Sequence, residues 1–300
     1  MNDSITKTPE EWRNFHVRSP ITACRLKHDG LKRLYQIVNE KQKEYRDKIV
    51  SGLFRTDKET LEEFQKRKRH VTDAFVTSVT INAMNGEILT GNTEKIFDDI
   101  NAPTRIRSVL YTTQSVPQAI LNHVPLDRIT VFLDFSRPPL LDFNRNPAST
   151  TPNESNFEIA ANNESWFSST NIKLSEFFVE RQTGYEWLHS AGVYDILLLL
   201  VGIPLSIWAS VKVSVIFPHI QQLDTLPRSI SYTYAFILML YTFRLLFSYS
   251  RWVFPKVEIE SDIRKSPLRH RAIWGFILIA VTGPAMYELC RAVITYLASL

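Results

Sequence analysis

Cysteine is nearly absent from this 300-residue chain, which contains only Cys24 and Cys290. Two cysteines cannot build the disulfide framework on which small secreted domains depend. Glycine is also scarce, with 9 residues, and neither GxGxxG nor GxxxxGK followed by Ser or Thr occurs. The sequence therefore excludes a disulfide scaffold and argues against a phosphate-binding glycine loop.

The motifs of common catalytic and metal sites are missing as well. The sequence contains no HExxH, no CxxC and no GxSxG. Its 7 histidines are scattered along the chain without the spacing of metal ligands. We therefore expect a protein that is not an enzyme and that uses neither a metal nor another cofactor.

An excess of one charge is missing from the first two thirds of the chain. Residues 1–190 carry 25 Lys and Arg and 25 Asp and Glu, so their net charge is zero. Residues 191–300 carry 10 Lys and Arg and 6 Asp and Glu, so the whole net charge of +4 lies there. This distribution excludes a globally basic nucleic-acid binder, and we expect no nucleic-acid partner.

Residues 191–300 contain three long apolar segments. A helix that spans a bilayer needs about 20 mostly apolar residues. The sequence predicts a three-helix transmembrane region, with helices over about 194–217, 230–248 and 272–298. Pro204 predicts a kink in the first helix. Buried core helices of a large soluble domain are the alternative, but charge-free runs of this length favour the membrane.

Loop charges predict the orientation of these helices. Residues 218–229 carry a single Arg, whereas residues 249–271 carry six Lys and Arg. The positive-inside rule puts the second loop in the cytoplasm, with residues 1–190 on the same side and the C-terminus outside. The N-terminus lacks the pattern of a signal peptide, which agrees. We expect a cell membrane, the inner membrane of a bacterium. The aromatic residues beside the second loop fit an interfacial belt: Tyr249, Trp252 and Trp274.

Four ionisable residues lie within or beside the predicted membrane helices. Glu288 and Arg291 stand at i,i+3 on the third helix and can pair with each other. Such a pair is either structural or part of a conducting or gating path. Arg244 and Asp195 lie near helix ends, where their side chains can extend toward the interface.

Residues 1–72 are predicted to form a helical region. Apolar residues from Leu31 to Leu53 repeat with helical spacing. The sequence Thr56-Asp57-Lys58-Glu59 matches a capping box, which predicts a second helix that runs to about His70. The two helices would form an antiparallel hairpin.

Residues 73–190 are predicted to fold as an α+β domain around an antiparallel sheet. Alternation begins near Phe75, and Asn85-Gly86 predicts a type I′ hairpin turn with positive φ at both residues. Further strands are predicted over 105–112, 128–136 and 156–160, and flanking helices over 93–100 and 172–181. The connections are mostly too short for parallel crossovers, so the strands should be antiparallel.

Two acidic groups in the cytoplasmic part are candidate ligand contacts. Asp98 and Asp99 either bind a cation or face solvent. Asp134 and Asp142 flank Arg137-Pro138-Pro139, where a long polar loop, residues 137–155, begins, and they either contact a ligand or cap turns.

One basic cluster stands out in the same part of the chain, formed by Lys66, Arg67, Lys68 and Arg69. It either contacts an anionic membrane surface or nucleic acid, or it is a solvated helix terminus whose charge suits the helix dipole.

The whole pattern predicts a multi-pass membrane protein whose cytoplasmic α+β domain senses a ligand or partner and signals to an oligomeric membrane bundle. In a bacterium, such a protein would act as a stress or phage-defence effector. The alternative is a membrane-anchored scaffold or assembly subunit without transport activity. The expected partners are the lipid bilayer and either further copies of the chain or another membrane-complex subunit.

Overall fold

The computed structural model describes residues 14–99, 103, 105–140, 146–260, 269–277, 279, 280 and 295. The chain divides into two compact units. The first, called here the sheet unit, comprises Met1–Ser136, Pro152–Glu186 and Lys256–Asp262. The second, called the helical unit, comprises Arg137–Thr151, Trp187–Pro255 and Ile263–Leu300.

The sheet unit is built on a six-stranded antiparallel sheet. The strands of the chain are β1 (Phe15–Pro20), β2 (Cys24–Leu26), β3 (Ser78–Ala83), β4 (Ile88–Gly91), β5 (Ile106–Thr112), β6 (Arg128–Asp134), β7 (Asn156–Ala161) and β8 (Val257–Ile259). The sheet has the order β1-β7-β6-β5-β3-β4, and β2 pairs in parallel with β8 in a separate two-stranded sheet. The predicted antiparallel α+β fold is confirmed, while β1, β2 and β8 were not predicted.

Four helices complete the sheet unit: α1 (His28–Ser51), α2 (Leu61–Ala74), α3 (Ser115–Leu121) and α4 (Glu164–Val179). The short helix predicted over 93–100 is a single 3-10 turn, Glu94–Phe97. The helix predicted over 172–181 begins eight residues earlier, because Asn163 caps it by accepting a hydrogen bond from the backbone amide of Trp166 at 2.8 Å.

The first helix belongs to the same apolar core as the sheet. α1 contributes Leu31, Leu34 and Val38, which are fully buried. Tyr111 of β5 is buried beside them, and its Oη donates to the carbonyl oxygen of Leu31 at 3.0 Å. Each such leucine stabilises the fold by about 1.5–3 kcal/mol. α1 is therefore a core element of the sheet unit.

The second helix begins later than the sequence pattern predicts. Its N-cap is Thr60, whose Oγ1 accepts from the Glu63 amide at 3.2 Å, while Glu63 Oε2 accepts from the Thr60 amide at 2.8 Å. The capping box predicted at Thr56 and Glu59 is therefore wrong by four residues. Glu59 instead accepts two hydrogen bonds from Arg67, both at 2.8 Å, and it precedes the first residue of α2, Leu61.

The predicted hairpin between β3 and β4 is present, but its turn is of another type. Gly86 has a φ of 90°, whereas Asn122 is the only non-glycine residue in the described ranges with a positive φ. The Gly86 amide donates to Ala83 at 3.2 Å, and the Ala83 amide donates to Glu87 at 2.8 Å. This pattern is a type I turn followed by a left-handed glycine, so the predicted type I′ geometry at Asn85 is wrong.

The helical unit is dominated by two long helices. The first is made of α5 (Val193–Leu197), a π-helical turn (Leu198–Gly202) and α6 (Ile203–Ile216), and the second is α7 (Thr225–Val253). α6 and α7 pack together, and a Cβ atom at Gly202 would lie 2.9 Å from the ring of Phe243. Only glycine permits this close approach of the two helices.

The π-helical turn is the structural response to Pro204. Proline has no amide hydrogen to donate to the carbonyl four residues earlier, and its ring crowds that carbonyl. The backbone widens over Leu198–Gly202 just before the proline. The hydroxyl of Ser206 then donates to the Gly202 carbonyl at 2.6 Å. The helix therefore carries a π turn directly before Pro204, and the predicted kink stays a prediction.

Both long helices are apolar and mostly unburied. Val193–Ile216 has a mean hydropathy of 2.1 in its most apolar window and Thr225–Val253 has 1.4, with 11% and 6% of those windows buried. By length and composition both helices can cross a membrane. Residues 269–277, 279 and 280 are helical, but most of the third predicted helix, 272–298, lies outside the described residues.

Candidate functional site

A polar cleft of about 770 Å³ opens on the sheet unit beside the start of α1. Its walls come from the junction of β2 and α1, from residues 180–185 after α4, and from Glu260 directly after β8. Four cationic side chains line it: Arg25, Lys27, Arg33 and Arg181. The volume is in the range of small-molecule sites, and the charged lining favours a charged ligand over an apolar one.

Arg25 of this cleft pairs with Glu258 of β8, a buried residue that does not itself line the cleft. Arg25 Nε lies 3.3 Å from Glu258 Oε2, and the Glu258 side chain is only 3% exposed. Burial alone would lower the pKa of Arg25, but Glu258 and Tyr185 outweigh it and raise that pKa. Arg25 therefore stays charged, and its guanidinium is held in a fixed direction.

Two further cations of the cleft pair with exposed carboxylates. Lys27 Nζ lies 3.7 Å from Glu260 Oε2, and the two side chains are 75% and 41% exposed. Arg181 Nη1 donates to Glu180 at 3.0 Å and to the Phe177 carbonyl at 2.8 Å, and its guanidinium lies 4.0 Å from the centre of the Phe177 ring. Arg181 is thus positioned by Phe177 rather than by Glu180.

The carboxylates that pair with Arg25 and Lys27, those of Glu258 and Glu260, come from the segment that follows α7. Its strand β8 is fully buried and pairs with β2 in the register Cys24↔Val257 to Leu26↔Ile259. The Cys24 amide also donates to the Lys256 carbonyl at 2.9 Å. A three-residue strand gives almost no periodicity, which is why sequence reasoning treated this segment as a loop.

The predicted acidic candidate at Asp98 is an ion-pair partner. Its carboxylate lies 2.7 Å from Lys32 Nζ and 3.4 Å from His28 Nε2. The hydrogen bond from Lys32, with a smaller contribution from His28, lowers the pKa of Asp98. In the ranges that the structure describes, no three His, Cys, Asp or Glu side chains come together as a metal site would require.

Asp134 caps the turn that follows β6. Its Oδ1 accepts from the Ser136 amide at 2.9 Å, and its backbone carbonyl accepts from Asn153 Nδ2 at 2.8 Å. This is the turn-capping role that the sequence left open beside ligand contact. Asp142, its predicted companion, lies outside the described residues.

The basic cluster is divided between structural and solvent-exposed members. Arg67 pairs with Glu59, donates to the Phe54 carbonyl at 2.9 Å and lies 5.4 Å from the Phe64 ring centre, so it closes the connection between α1 and α2. The other three members are exposed on α2: Lys66, Lys68 and Arg69. Contact of these three residues with a membrane surface stays a prediction.

The predicted intramembrane residues are placed only in part. Asp195 is exposed on α5, and Arg244 is half-buried on α7. Glu288 and Arg291 lie outside the described residues, so their pairing stays a prediction.

Sequence reasoning missed the buried role of Arg251 at the end of α7. Its guanidinium donates to four backbone carbonyls within the helical unit, those of Leu188, Pro147, Ser149 and Ser190, at 3.0, 3.0, 3.1 and 3.4 Å. It also lies 4.6 Å from the centre of the Phe247 ring. Nearby, His189 Nδ1 and Thr151 Oγ1 are 2.9 Å apart. A single cation therefore joins the long polar loop, the segment before α5 and the end of α7.

The predicted interfacial aromatic residues form one cluster in the helical unit. Tyr249 stacks on Trp252 with ring centres 6.1 Å apart and contacts Trp274 edge to face at 6.0 Å. Tyr249 Oη and His270 Nδ1 are 2.8 Å apart, and the His270 ring is 4.9 Å from that of Trp252. Arg137, from the long polar loop, lies 4.8 Å from the centre of the Trp252 ring.

Comparison with family models, with curated proteins and with solved structures finds no match to this chain. The function therefore has to be argued from the geometry of these sites.

Proposed function

We propose that this chain is a membrane-anchored protein whose sheet unit senses a ligand or partner and transmits its state to the helical unit. The observation that carries the proposal is β8. This strand follows α7 with only Phe254, Pro255 and Lys256 between them, yet it is buried in the sheet unit and its Glu258 pairs with Arg25 of the polar cleft.

Membrane anchoring is supported by the apolar surfaces of the long helices. A core helix of a soluble protein buries its apolar face, but Leu200, Ile207 and Val211 are 67%, 54% and 65% exposed. Contiguous apolar surface of this kind is costly in water and favourable in lipid. Insertion into a bilayer is the arrangement that removes the cost.

Chain connectivity supports an even number of crossings before β8. The chain leaves the sheet unit after Glu186 and returns to it at Lys256, having passed through α5–α6 and α7. Two crossings return the chain to the side on which it started. The Lys- and Arg-rich segment after α7 favours the cytoplasmic side for that unit. A third crossing over 272–298 would then leave the C-terminus outside.

Transmission follows from the short link between α7 and β8. A link of three residues leaves little slack between β8 and the last turn of α7, because each residue spans at most about 3.6 Å. Arg251 lies in that last turn, where it fixes three segments of the helical unit through backbone carbonyls. A change in β8 would therefore reach both the helix and the long polar loop.

The proposal is tested by breaking the Arg25–Glu258 pair and measuring amide hydrogen exchange of the full chain in mild detergent. Glu258→Gln should speed exchange in β8 and in the last turn of α7. The matched control is Glu158→Gln, which removes an exposed carboxylate that is 3.1 Å from His16 elsewhere on the sheet unit and should leave α7 unchanged. Faster exchange in β8 with no change in α7 would refute transmission and favour the scaffold function.

A further inference from the structure

We propose that the polar cleft binds a small phosphate-bearing ligand, with Arg25, Arg33 and Arg181 as its main contacts and with Glu260 as a built-in competitor. The inference rests on the proposed function, because it names the class of ligand that the sheet unit would sense.

The lining argues for an anion over other ligands. The four cations converge from β2, α1 and the segment after α4 on one cleft. An apolar ligand would strip water from these charged groups without replacing their interactions. Three carboxylates line the cleft as well, those of Asp29, Glu180 and Glu260, and the last two already pair with Lys27 or Arg181. With four cations and three carboxylates in its lining, the cleft carries one excess positive charge, which favours an anion over a cation.

Arginine geometry favours phosphate among anions. A guanidinium presents parallel N–H donors that match two oxygens of a phosphate, and three arginines can satisfy several oxygens at once. Two of them are already oriented, Arg181 by the Phe177 ring and carbonyl and Arg25 by Glu258. Oriented side chains lose little conformational entropy when a ligand binds.

The carboxylates that now occupy the cleft differ in how easily they can be displaced. Glu260 is 41% exposed and lies 3.7 Å from Lys27, which is longer than a hydrogen bond. Glu180 is 70% exposed. Exposed pairs of this kind contribute little, so a ligand with higher charge can replace both carboxylates. Glu258 is buried and stays with Arg25.

Displacement of Glu260 connects the ligand to the signal. Glu260 directly follows Ile259, the last residue of β8. When a phosphate takes its place beside Lys27, the end of β8 loses its ion pair with the start of α1. The ligand therefore acts on the same strand that links the sheet unit to α7.

The test uses inorganic pyrophosphate as the probe and calorimetry of the full chain in a neutral detergent at constant ionic strength. Arg33→Gln and Arg181→Gln should each weaken pyrophosphate binding about tenfold or more, because each removes a charged hydrogen-bond donor. Arg46→Gln is the matched control, since Arg46 lies on α1 and pairs with Asp47 outside the cleft. It should bind pyrophosphate as the parent does.

Glu260→Gln tests whether this carboxylate competes with the ligand. Removal of the built-in competitor should tighten pyrophosphate binding several-fold, whereas a merely structural role of Glu260 would leave binding unchanged or weaken it. Arg33 is exposed, so Arg33→Gln gives a folded variant even if Arg181→Gln does not. The proposal is overturned if pyrophosphate binds neither the parent nor Glu260→Gln. It is also overturned if Arg33→Gln and Arg181→Gln both bind pyrophosphate as tightly as the parent does.

Two sources of phosphate are distinguished by the lipid around the protein. In nanodiscs of phosphatidylcholine alone, a free ligand site binds pyrophosphate as in detergent. If anionic headgroups fill the cleft, added phosphatidylglycerol weakens pyrophosphate binding to the parent and leaves the residual binding of Arg33→Gln unaffected. Either result supports phosphate recognition.

The experiments also separate this inference from the proposed function. Cleft-dependent binding of pyrophosphate without any change in the hydrogen exchange of α7 would support the ligand class and refute transmission. A response of α7 to Glu258→Gln, together with no pyrophosphate binding, would leave the proposed function standing and overturn the ligand class.

Discussion

A charge placed in the middle of α6 tests whether this helix crosses a membrane. Ile207 lies near the centre of the Val193–Ile216 helix and is 54% exposed. On insertion scales, isoleucine at a helix centre contributes about −0.3 to −0.6 kcal/mol and aspartate costs about 2.5–3.5 kcal/mol. Ile207→Asp therefore costs about 3–4 kcal/mol, which shifts the insertion equilibrium by roughly 100-fold to 1000-fold.

The matched control is Ile172→Asp on α4 of the sheet unit. Ile172 is 55% exposed, so the same substitution removes a similar exposed apolar side chain in a setting that water already reaches. Surface substitutions of this kind change stability by about 0.5 kcal/mol or less. Ile172→Asp should leave membrane insertion unchanged.

The assay follows the connection between α6 and α7 with a thiol at position 221. Gln221→Cys, in a Cys290→Ala background, is exposed to a membrane-impermeant maleimide added from outside the cell. The parent and Ile172→Asp should be labelled, and Ile207→Asp should not. Equal labelling of all three variants would show that α6 does not depend on lipid insertion. Absence of labelling in the parent would refute the proposed crossing.

Three further predictions concern the sheet unit and are measured on the full chain in mild detergent. Thr60→Ala should lower the free energy of unfolding by about 1 kcal/mol in denaturant unfolding, because the N-cap of α2 is lost. Thr56→Ala should lower it clearly less, and equal losses would refute the cap assignment. Gly86→Val should cost about 1–3 kcal/mol through backbone strain at a φ of 90°, and Gly86→Asn less; an unchanged midpoint would contradict the turn. Burial raises the pKa of the Cys24 thiol to about 12, so few Cys24 thiolates form at pH 8. In the Cys290→Ala variant, Cys24 should therefore resist iodoacetamide at pH 8 until the protein unfolds. Rapid alkylation of the native protein would contradict this.

The sheet was largely predictable because its strands obey a simple rule. β5, β6 and β7 are runs of six or seven residues in which β-branched or aromatic side chains recur, and their predicted bounds agree with the structure within two residues at each end. Edge strand β1 contains Arg18, Ser19 and Pro20 and is only half-buried, so its apolar alternation is weak. It pairs with β7, from the other end of the unit's sequence, and this contact has no local signal.

The start of α2 shows how two valid local signals compete. Thr-x-x-Glu occurs at Thr56–Glu59 and again at Thr60–Glu63. The first motif still forms a weak contact, from the Thr56 amide to Glu59 at 3.4 Å, but Glu59 is also the partner of Arg67. That ion pair requires α2 to have already formed up to Arg67, so the choice between the motifs depends on a tertiary contact.

The candidate cleft was not predictable, because its residues are far apart in sequence. Arg25 and Glu258 are each unremarkable in their local sequence, and only the pairing of β2 with β8 brings them to 3.3 Å. The short buried strand β8 lies in a loop that is rich in Lys and Arg. A count of charged residues does not show which of them are buried in ion pairs. In the sequence, the segment after α7 indicates only the orientation of the helices. In the structure, it also contributes Glu260 to the cleft.

Arg251 also shows that a count of charged residues does not reveal which of them are buried. Counted as a loop cation, it supports a cytoplasmic side for the second loop, yet its guanidinium is buried against backbone carbonyls. A buried arginine that is satisfied by neutral carbonyls contributes several hydrogen bonds but no opposing charge. Its bonds depend on the position of the last turn of α7, because each carbonyl belongs to a different loop residue. A small displacement of that turn would therefore weaken several of these hydrogen bonds together.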